Sequence, residues 1–183
     1  MEKNRVVKIA VIGPESTGKT MLCEQLATHF KTKFVPEFAR TYFETNNIDN
    51  YTFEQLEEIY LKQLQLEKEV GSQVSTILFA DTNLISGKVW AQKVFGKVPK
   101  IITDNLVKME FDMYLVCDID LPWVADEQRK NEADRAELMQ AHLNILDQLN
   151  LPFDVIKGQN EERFQNALNV IETYLKTNNL NLS

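Results

Sequence analysis

Val6-Val7-Lys8-Ile9-Ala10-Val11-Ile12-Gly13-Pro14-Glu15-Ser16-Thr17-Gly18-Lys19-Thr20 is the stretch that decides the fold. Up to Ile12 it is a β-branched, apolar run, the pattern of a strand covered on both faces. Gly13 ends that strand, and Gly13–Thr20 satisfies G-x-x-x-x-G-K-[ST]. The glycines let the backbone turn so that N–H groups along Gly13, Glu15, Ser16, Thr17 and Gly18 point inward at phosphate oxygens. Lys19 reaches the β- and γ-phosphates, and the Thr20 hydroxyl is a candidate Mg²⁺ ligand. Leu22, Cys23, Leu26, Ala27 and Phe30 recur behind the loop at helical spacing, so the positive end of a helix backs the same anion. A plain strand-to-helix turn is the alternative, but the buried strand before and the amphipathic helix after are the context phosphate binding requires. A nucleoside triphosphate with Mg²⁺ is the expected cofactor.

Working outward, Phe34-Val35-Pro36 is a weaker strand candidate, and Ile77–Ala80 and Met113–Cys117 read as buried strands ending at Asp81 and Asp118. Phe153-Asp154-Val155-Ile156 is a short strand closed by Gly158. Between them lie helical patterns. Phe53, Leu56, Ile59, Tyr60 and Leu64 follow Thr52, which with Gln55 makes a capping box. Leu84 to Phe95 turns helical, Leu138, His142, Ile145, Leu146 and Leu149 line another face, and Phe164, Ala167, Leu168, Ile171, Tyr174 and Leu175 mark the last helix, with Asn160 expected as its cap. Buried strands alternating with helices imply crossover connections. The expected fold is α/β: a phosphate-loop (P-loop) NTPase with a five-stranded, mainly parallel sheet and helices on both faces. No Gly/Ser- or Pro-rich linker divides the chain, so residues 1–176 read as one domain and the Asn-rich 177–183 as a frayed tail.

A second acid is needed at the end of a buried strand, and Asp81 supplies it. Its carboxylate is a candidate Mg²⁺ ligand, direct or through water; a helix N-cap is the alternative. D-x-x-G and N-K-x-D stretches of a GTPase are absent from the sequence, and a large mechanical ATPase normally needs more residues than these. A small phosphoryl-transfer enzyme remains, which requires an acceptor pocket, a base and cations that cover the transferring group. Glu37 and Arg40 stand where the second strand ends, the edge that faces the ligand crevice in a doubly wound sheet. Glu37 is the candidate base, and Arg40 would steady substrate or charge; a surface Glu–Arg pair is the competing reading.

Residues 119–135 are expected to form a lid, in which Arg129 and Arg135 are candidate cations over the phosphates and a solvated charged helix is the alternative. Trp123, beside Pro122 in a polar stretch, has no obvious core face and would stack on a flat aromatic ligand; core packing competes. Gly158 follows the fifth strand and is a candidate backbone contact for the nucleotide base. His29 and His142 lie on or near apolar helical faces and read as packing residues.

Composition excludes several classes. The chain has 183 residues, 44% of them apolar, and 20 Lys+Arg against 27 Asp+Glu give a net charge of −7. That balance argues against nucleic acid or an anionic membrane surface as partner. The longest apolar run, Met113–Cys117, is far short of the roughly 20 residues a bilayer requires. Without a signal-peptide pattern or a CxxC pair, Cys23 and Cys117 fit a reducing compartment, so a cytoplasmic protein is expected. Oligomeric state is not legible.

Gly13–Thr20, Glu37-Phe38-Ala39-Arg40, Phe79-Ala80-Asp81-Thr82 and Pro122-Trp123-Val124-Ala125-Asp126 with Arg129 together resemble the ribosylnicotinamide kinase domain of NadR-type proteins, in the same order from about Val6 to Tyr174. The resemblance implies a nucleoside- or nucleotide-kinase-like fold with a lid. It also implies the reaction: ATP plus nicotinamide riboside giving nicotinamide mononucleotide and ADP, in NAD salvage. Lys19, Thr20 and Asp81 map onto positions shared by such kinases, Glu37 onto the usual base with Asp81 as runner-up, and Trp123 and Asp126 onto the substrate-side lid. It places the nicotinamide ring on Trp123; a cationic ring suits Trp123, Asp120 and Asp126. The sequence departs from the pattern at Asn83, where a second acid is expected, and at Glu127, where glycine is expected. The adenylyltransferase domain of NadR-type proteins has no counterpart in these residues, so the mononucleotide is the expected product. A kinase for another nucleoside or small alcohol, and a non-catalytic ATP-binding regulatory module, are the competing functions.

Overall fold

A computed structural model describes residues 5–46, 51–124, 132–180 and 182. Its centre is β1 (Val7–Ile12), and four further strands join it: β2 (Phe34–Val35), β3 (Ile77–Asp81), β4 (Met113–Cys117) and β5 (Phe153–Ile156). The order is β2-β3-β1-β4-β5 and every pairing is parallel. Parallel neighbours need crossovers, and helices supply them: α1 (Lys19–His29), α2 (Phe38–Asn46), α3 (Phe53–Gly71), α4 (Leu84–Phe95), α5 (Lys100–Leu106), α6 (Arg135–Gln148) and α7 (Asn160–Thr177), with a short 3-10 turn at Glu132–Asp134.

The alternation of each strand divides the core into two layers. Val7, Ile9 and Val11 of β1 join Met113, Leu115 and Cys117 of β4 on one face, where Leu22, Cys23 and Leu26 of α1 and Ala167, Leu168 and Ile171 of α7 cover them. Ala10 and Ile12, with Tyr114 and Val116, point to the other face under Leu56, Ile59, Leu84, Ile85, Ile102, Leu138 and Leu146. Burial on both sides explains why these strands read as unbroken apolar runs.

Local signals act as the residue types dictate. Thr52 Oγ1 accepts the Gln55 N–H at 3.2 Å while Gln55 Oε1 accepts the Thr52 N–H at 2.8 Å, the full capping box of α3. Helix α4 is capped by Asn83, whose Oδ1 accepts the Ile85 N–H at 2.9 Å, and ends at the left-handed Gly96. Two helices give no clear signal in the sequence: α2, which presents no fully buried residue, and the seven-residue α5. The expected cap of α7 is corrected. Gln159 occupies the N-cap without a side-chain bond, while Asn160 is the first helical residue and takes φ 48. Beyond Thr177, in the segment expected to fray, Leu180 N–H bonds to Leu175 O at 2.9 Å, and Leu180 and Leu182 pack against the first-face core. Among the described residues no helix is long and apolar enough to cross a membrane.

Candidate active site

All five strands end at the same edge of the sheet, and there stand Gly13, Glu37, Asp81, Asp118 and Gly158. Gly13 takes φ 136, and a Cβ there would lie 2.8 Å from Cys117 O, so both the conformation and the closeness of β4 demand glycine. Gly18, at φ 75, precedes α1 as its N-cap. Within the loop Thr17 Oγ1–H and Lys19 Nζ each donate to Pro14 O at 2.8 Å. Ser16 Oγ lies between the N–H and C=O of Val124, at 3.1 and 3.0 Å.

Asp81 is buried and does not cap α4; that place belongs to Asn83, which gives the departure at Asn83 a structural role. Instead Thr20 Oγ1–H donates to Asp81 Oδ2 at 2.5 Å. Asp81 Oδ1 is buried without a hydrogen-bond partner among the described residues. Burial raises the Asp81 carboxyl pKa, while Lys19, the Thr20 hydrogen bond and Arg40 oppose the rise.

Glu37 and Arg40 are half-buried and belong to one electrostatic group with Asp81 and Lys19, rather than to an exposed pair. Burial raises the Glu37 carboxyl pKa, the Asp81 charge adds to the rise, and Lys19 and Arg40 act against it. The turn that carries Glu37 is held from α3 by Gln63: the Phe38 N–H donates to Gln63 Oε1 at 2.8 Å, and Gln63 Nε2 donates to Pro36 O at 3.3 Å. Tyr60 and Tyr51 stand near this acidic group; burial raises both phenols, with Glu37 adding to Tyr60 and Glu15 to Tyr51.

The predicted lid divides. Asp126, Glu127 and Arg129 lie outside the described residues. Arg135 is the first residue of α6 and reaches the phosphate loop: Nη2 donates to Ser16 O and Nη1 to Leu121 O, both at 3.1 Å. Its guanidinium carbon is 5.8 Å from the Trp123 ring centroid, so the half-buried Trp123 meets a cation within the chain. Gly158, at φ 94, donates its N–H to Asp120 Oδ2 at 2.7 Å, and its carbonyl accepts from Arg163 Nε at 2.8 Å. Asp120 also pairs with Arg163, so both its oxygens are engaged inside the fold and the expectation that it faces a cationic ring is corrected.

His142 is buried, its Nε2 3.2 Å from Ser86 Oγ and its Nδ1 2.7 Å from Leu138 O, and burial pushes its pKa down to about 4. His29 is exposed and packs edge-on against Phe30 and Phe164. Neither reaches the phosphate loop. Burial likewise pushes the Cys117 thiol up to about 11 and raises that of Cys23, which suits inert core thiols.

Sequence reading missed Gln63 and Arg163, each nearly fully buried. The usable signal was a polar residue at an apolar register: Gln63 falls between Tyr60 and Leu64 of α3, and Arg163 beside Phe164 on α7.

Comparison with known proteins agrees with this architecture. The trifunctional NAD biosynthesis/regulator protein NadR of Escherichia coli (strain K12) is 24% identical over 178 residues, covering 89% of this chain and 41% of its own. A crystal structure of NadR protein in complex with NR superposes with a TM-score of 0.79 at 22% identity, over 92% of this chain and 49% of that one. The chain thus spans less than half the length of these relatives. Thymidylate kinase from Candida albicans has the same fold over nearly its whole length, with a TM-score of 0.65 at 16% identity and coverage of 96% and 93%. The nucleotide-kinase-like P-loop fold expected from the motifs is therefore the fold observed. A family model described as an AAA domain matches residues 8–163, and the chain belongs to that family.

Proposed function

We propose that this chain transfers the γ-phosphoryl group of ATP to the 5′-hydroxyl of nicotinamide riboside, giving nicotinamide mononucleotide and ADP in NAD salvage. The observation that carries the proposal is the convergence at one sheet edge of Gly13–Thr20, the Thr20–Asp81 pair and Glu37, a carboxyl whose pKa burial and Asp81 raise. Similarity to NadR, a protein of NAD biosynthesis that has been crystallised with NR, supplies the acceptor.

The phosphate loop and the α1 N-terminus hold the nucleotide's phosphates, and Lys19, which rests on Pro14 O, turns to the β- and γ-phosphates. Glu37 accepts the 5′-hydroxyl proton as the new O–P bond forms and the bond to the β-phosphate bridging oxygen breaks; ADP leaves with that electron pair. Arg40 steadies the acceptor side. Arg135 and Arg129 are the cations assigned to the developing charge, with Asp126 on the substrate side. Trp123 offers an aromatic face to the nicotinamide ring, and Gly158 marks the base side of the nucleotide.

The donor set fits Mg²⁺. Thr20 and Asp81 would hold the ion through hard oxygen donors, and Asp81 Oδ1, buried and without a hydrogen-bond partner among the described residues, suits such a cation. When bound, the ion neutralises charge on the phosphates. We assign the chain to one domain with a lid over about residues 119–135 and to a reducing, cytoplasmic setting in keeping with Cys23 and Cys117 as free thiols.

The test is ADP release from ATP–Mg²⁺ with a panel of nucleosides and small alcohols. Turnover with nicotinamide riboside well above both the no-acceptor rate and the other acceptors is expected. Preference for another acceptor overturns the substrate, and ATP binding without acceptor-dependent turnover overturns the kinase reading in favour of a regulatory module.

A further inference from the structure

A phosphate loop binds anions because its N–H groups point into the nest, which turns the carbonyls of the same peptides outward. An outward carbonyl left free to rotate lets its peptide flip and the nest lose its shape. Two such carbonyls are gripped from outside the loop, Ser16 O by Arg135 and Thr17 O by Arg163.

Arg163 is the more deeply set, only 4% exposed, and sits in the first turn of α7. Nη1 donates to Thr17 O at 3.0 Å, Nε to Gly158 O at 2.8 Å, and Nη2 to Asp118 O at 3.4 Å while pairing with Asp120. The remaining Asp120 oxygen holds the Gly158 N–H at 2.7 Å. One guanidinium therefore ties together the loops after β1, β4 and β5. A planar fork can satisfy three carbonyls in fixed directions, whereas an ammonium group on a flexible stem cannot. Because the peptide is planar and trans, holding Thr17 C=O outward fixes the Gly18 N–H in the opposite direction, toward the phosphates.

We propose that Arg163, with Asp120 as its counter-charge, is a positioning residue that sets the shape of the phosphate nest. It does so through Thr17 and Gly18, and it registers the loops after β4 and β5 against that nest. The inference rests on reading Gly13–Thr20 as a nucleotide site, and it involves no atom assigned to the acceptor.

The experiment is displacement of a fluorescent ADP analogue by ADP and by inorganic tripolyphosphate, on the wild-type chain, Arg163→Lys and Asp120→Asn, with a thermal melt of each. Losing the directed bond to Thr17 should weaken ADP and tripolyphosphate alike, by about tenfold in Arg163→Lys. Asp120→Asn, whose carboxylate is partly exposed, should shift both in the same direction by a smaller factor. Lower melting temperatures with wild-type affinities would show a purely structural role and overturn the proposal. So would weaker ADP binding with unchanged tripolyphosphate binding, which places the effect on the base side. If Arg163→Lys does not fold, Asp120→Asn decides by the same comparison. A wild-type chain that binds neither probe overturns the proposal outright. One that binds both yet transfers nothing to nicotinamide riboside refutes the kinase reading and leaves the positioning role to be decided by the affinities.

Discussion

Replacing Glu37 by Gln keeps the side-chain volume and a carbonyl oxygen but removes the proton acceptor. The Glu37 carboxyl pKa is raised by burial and by the Asp81 charge, against Lys19 and Arg40, so Glu37 holds a proton more strongly than an exposed glutamate does. A positioned base contributes about 10²–10⁴ in rate. Because the transition state of phosphoryl transfer is loose and needs little proton transfer, the lower part of that range applies. We expect kcat to fall by about 10²–10³, equivalent to about 3–4 kcal/mol on the barrier. ATP affinity should stay within about threefold, since removing a negative charge near Lys19 acts in favour of the phosphates. The sign of the pH effect follows from the required ionised form: wild-type kcat/KM falls as pH drops through the raised Glu37 pKa. Its acid limb therefore lies above the ordinary carboxylate value of about 4.3. The assay is steady-state turnover from pH 5 to 9 beside calorimetric titration with ATP. A loss below about tenfold with the acid limb unmoved would refute the assignment and pass the proton to Asp81.

Gly13→Ala places a Cβ 2.8 Å from Cys117 O at a backbone φ of 136, where neither strand can give way. Strain of about 1–3 kcal/mol should lower the melting temperature by several degrees and weaken ADP binding; a variant that melts and binds like the wild type refutes the account. A pair of variants concerns stability alone. Burial raises Glu67 from 4.5 to about 7 and lowers His142 from 6.5 to about 4. Between those limits the folded state holds an extra proton at Glu67, so its contribution falls as pH rises, whereas at His142 the unfolded state holds the extra proton and the contribution rises. From pH 5 to pH 7, measured by urea unfolding, Glu67→Gln should therefore make stability increase more steeply with pH than in the wild type, and His142→Gln less steeply. Over that window the difference is about 2 kcal/mol for each, an upper value for Glu67, which keeps some solvent; equal slopes in all three proteins refute it.

What the sequence made legible was whatever a short stretch of residues constrains by itself. The β1 run, Gly13–Thr20, the Thr52–Gln55 cap and the acid after Ile77–Ala80 each announce their structure locally, and each stands where that reading puts it. The strand order β2-β3-β1-β4-β5 is not local, and neither are the contacts that complete the site. Arg135 shows the difference. The sequence reads it as a cation over the phosphates, and what the fold adds is that its guanidinium grips Ser16 O and lies over Trp123, contacts made across more than ten residues of chain. Gln63 and Arg163 carry the same lesson further. Each interrupts an apolar helical face, which a periodicity count treats as noise, yet an unpaired buried polar group is costly enough that a fold keeps one only where partners await it. For both, those partners are backbone groups of loops at the carboxyl edge of the sheet, Pro36 and Phe38 for one, Thr17, Asp118 and Gly158 for the other. Loops lack a ladder of their own to fix their backbone, so a nest or a catalytic turn built from them needs side chains from rigid helices to hold it. In a doubly wound sheet, then, the polar exceptions on helices packed beside the strand ends are the residues through which the site's geometry is set.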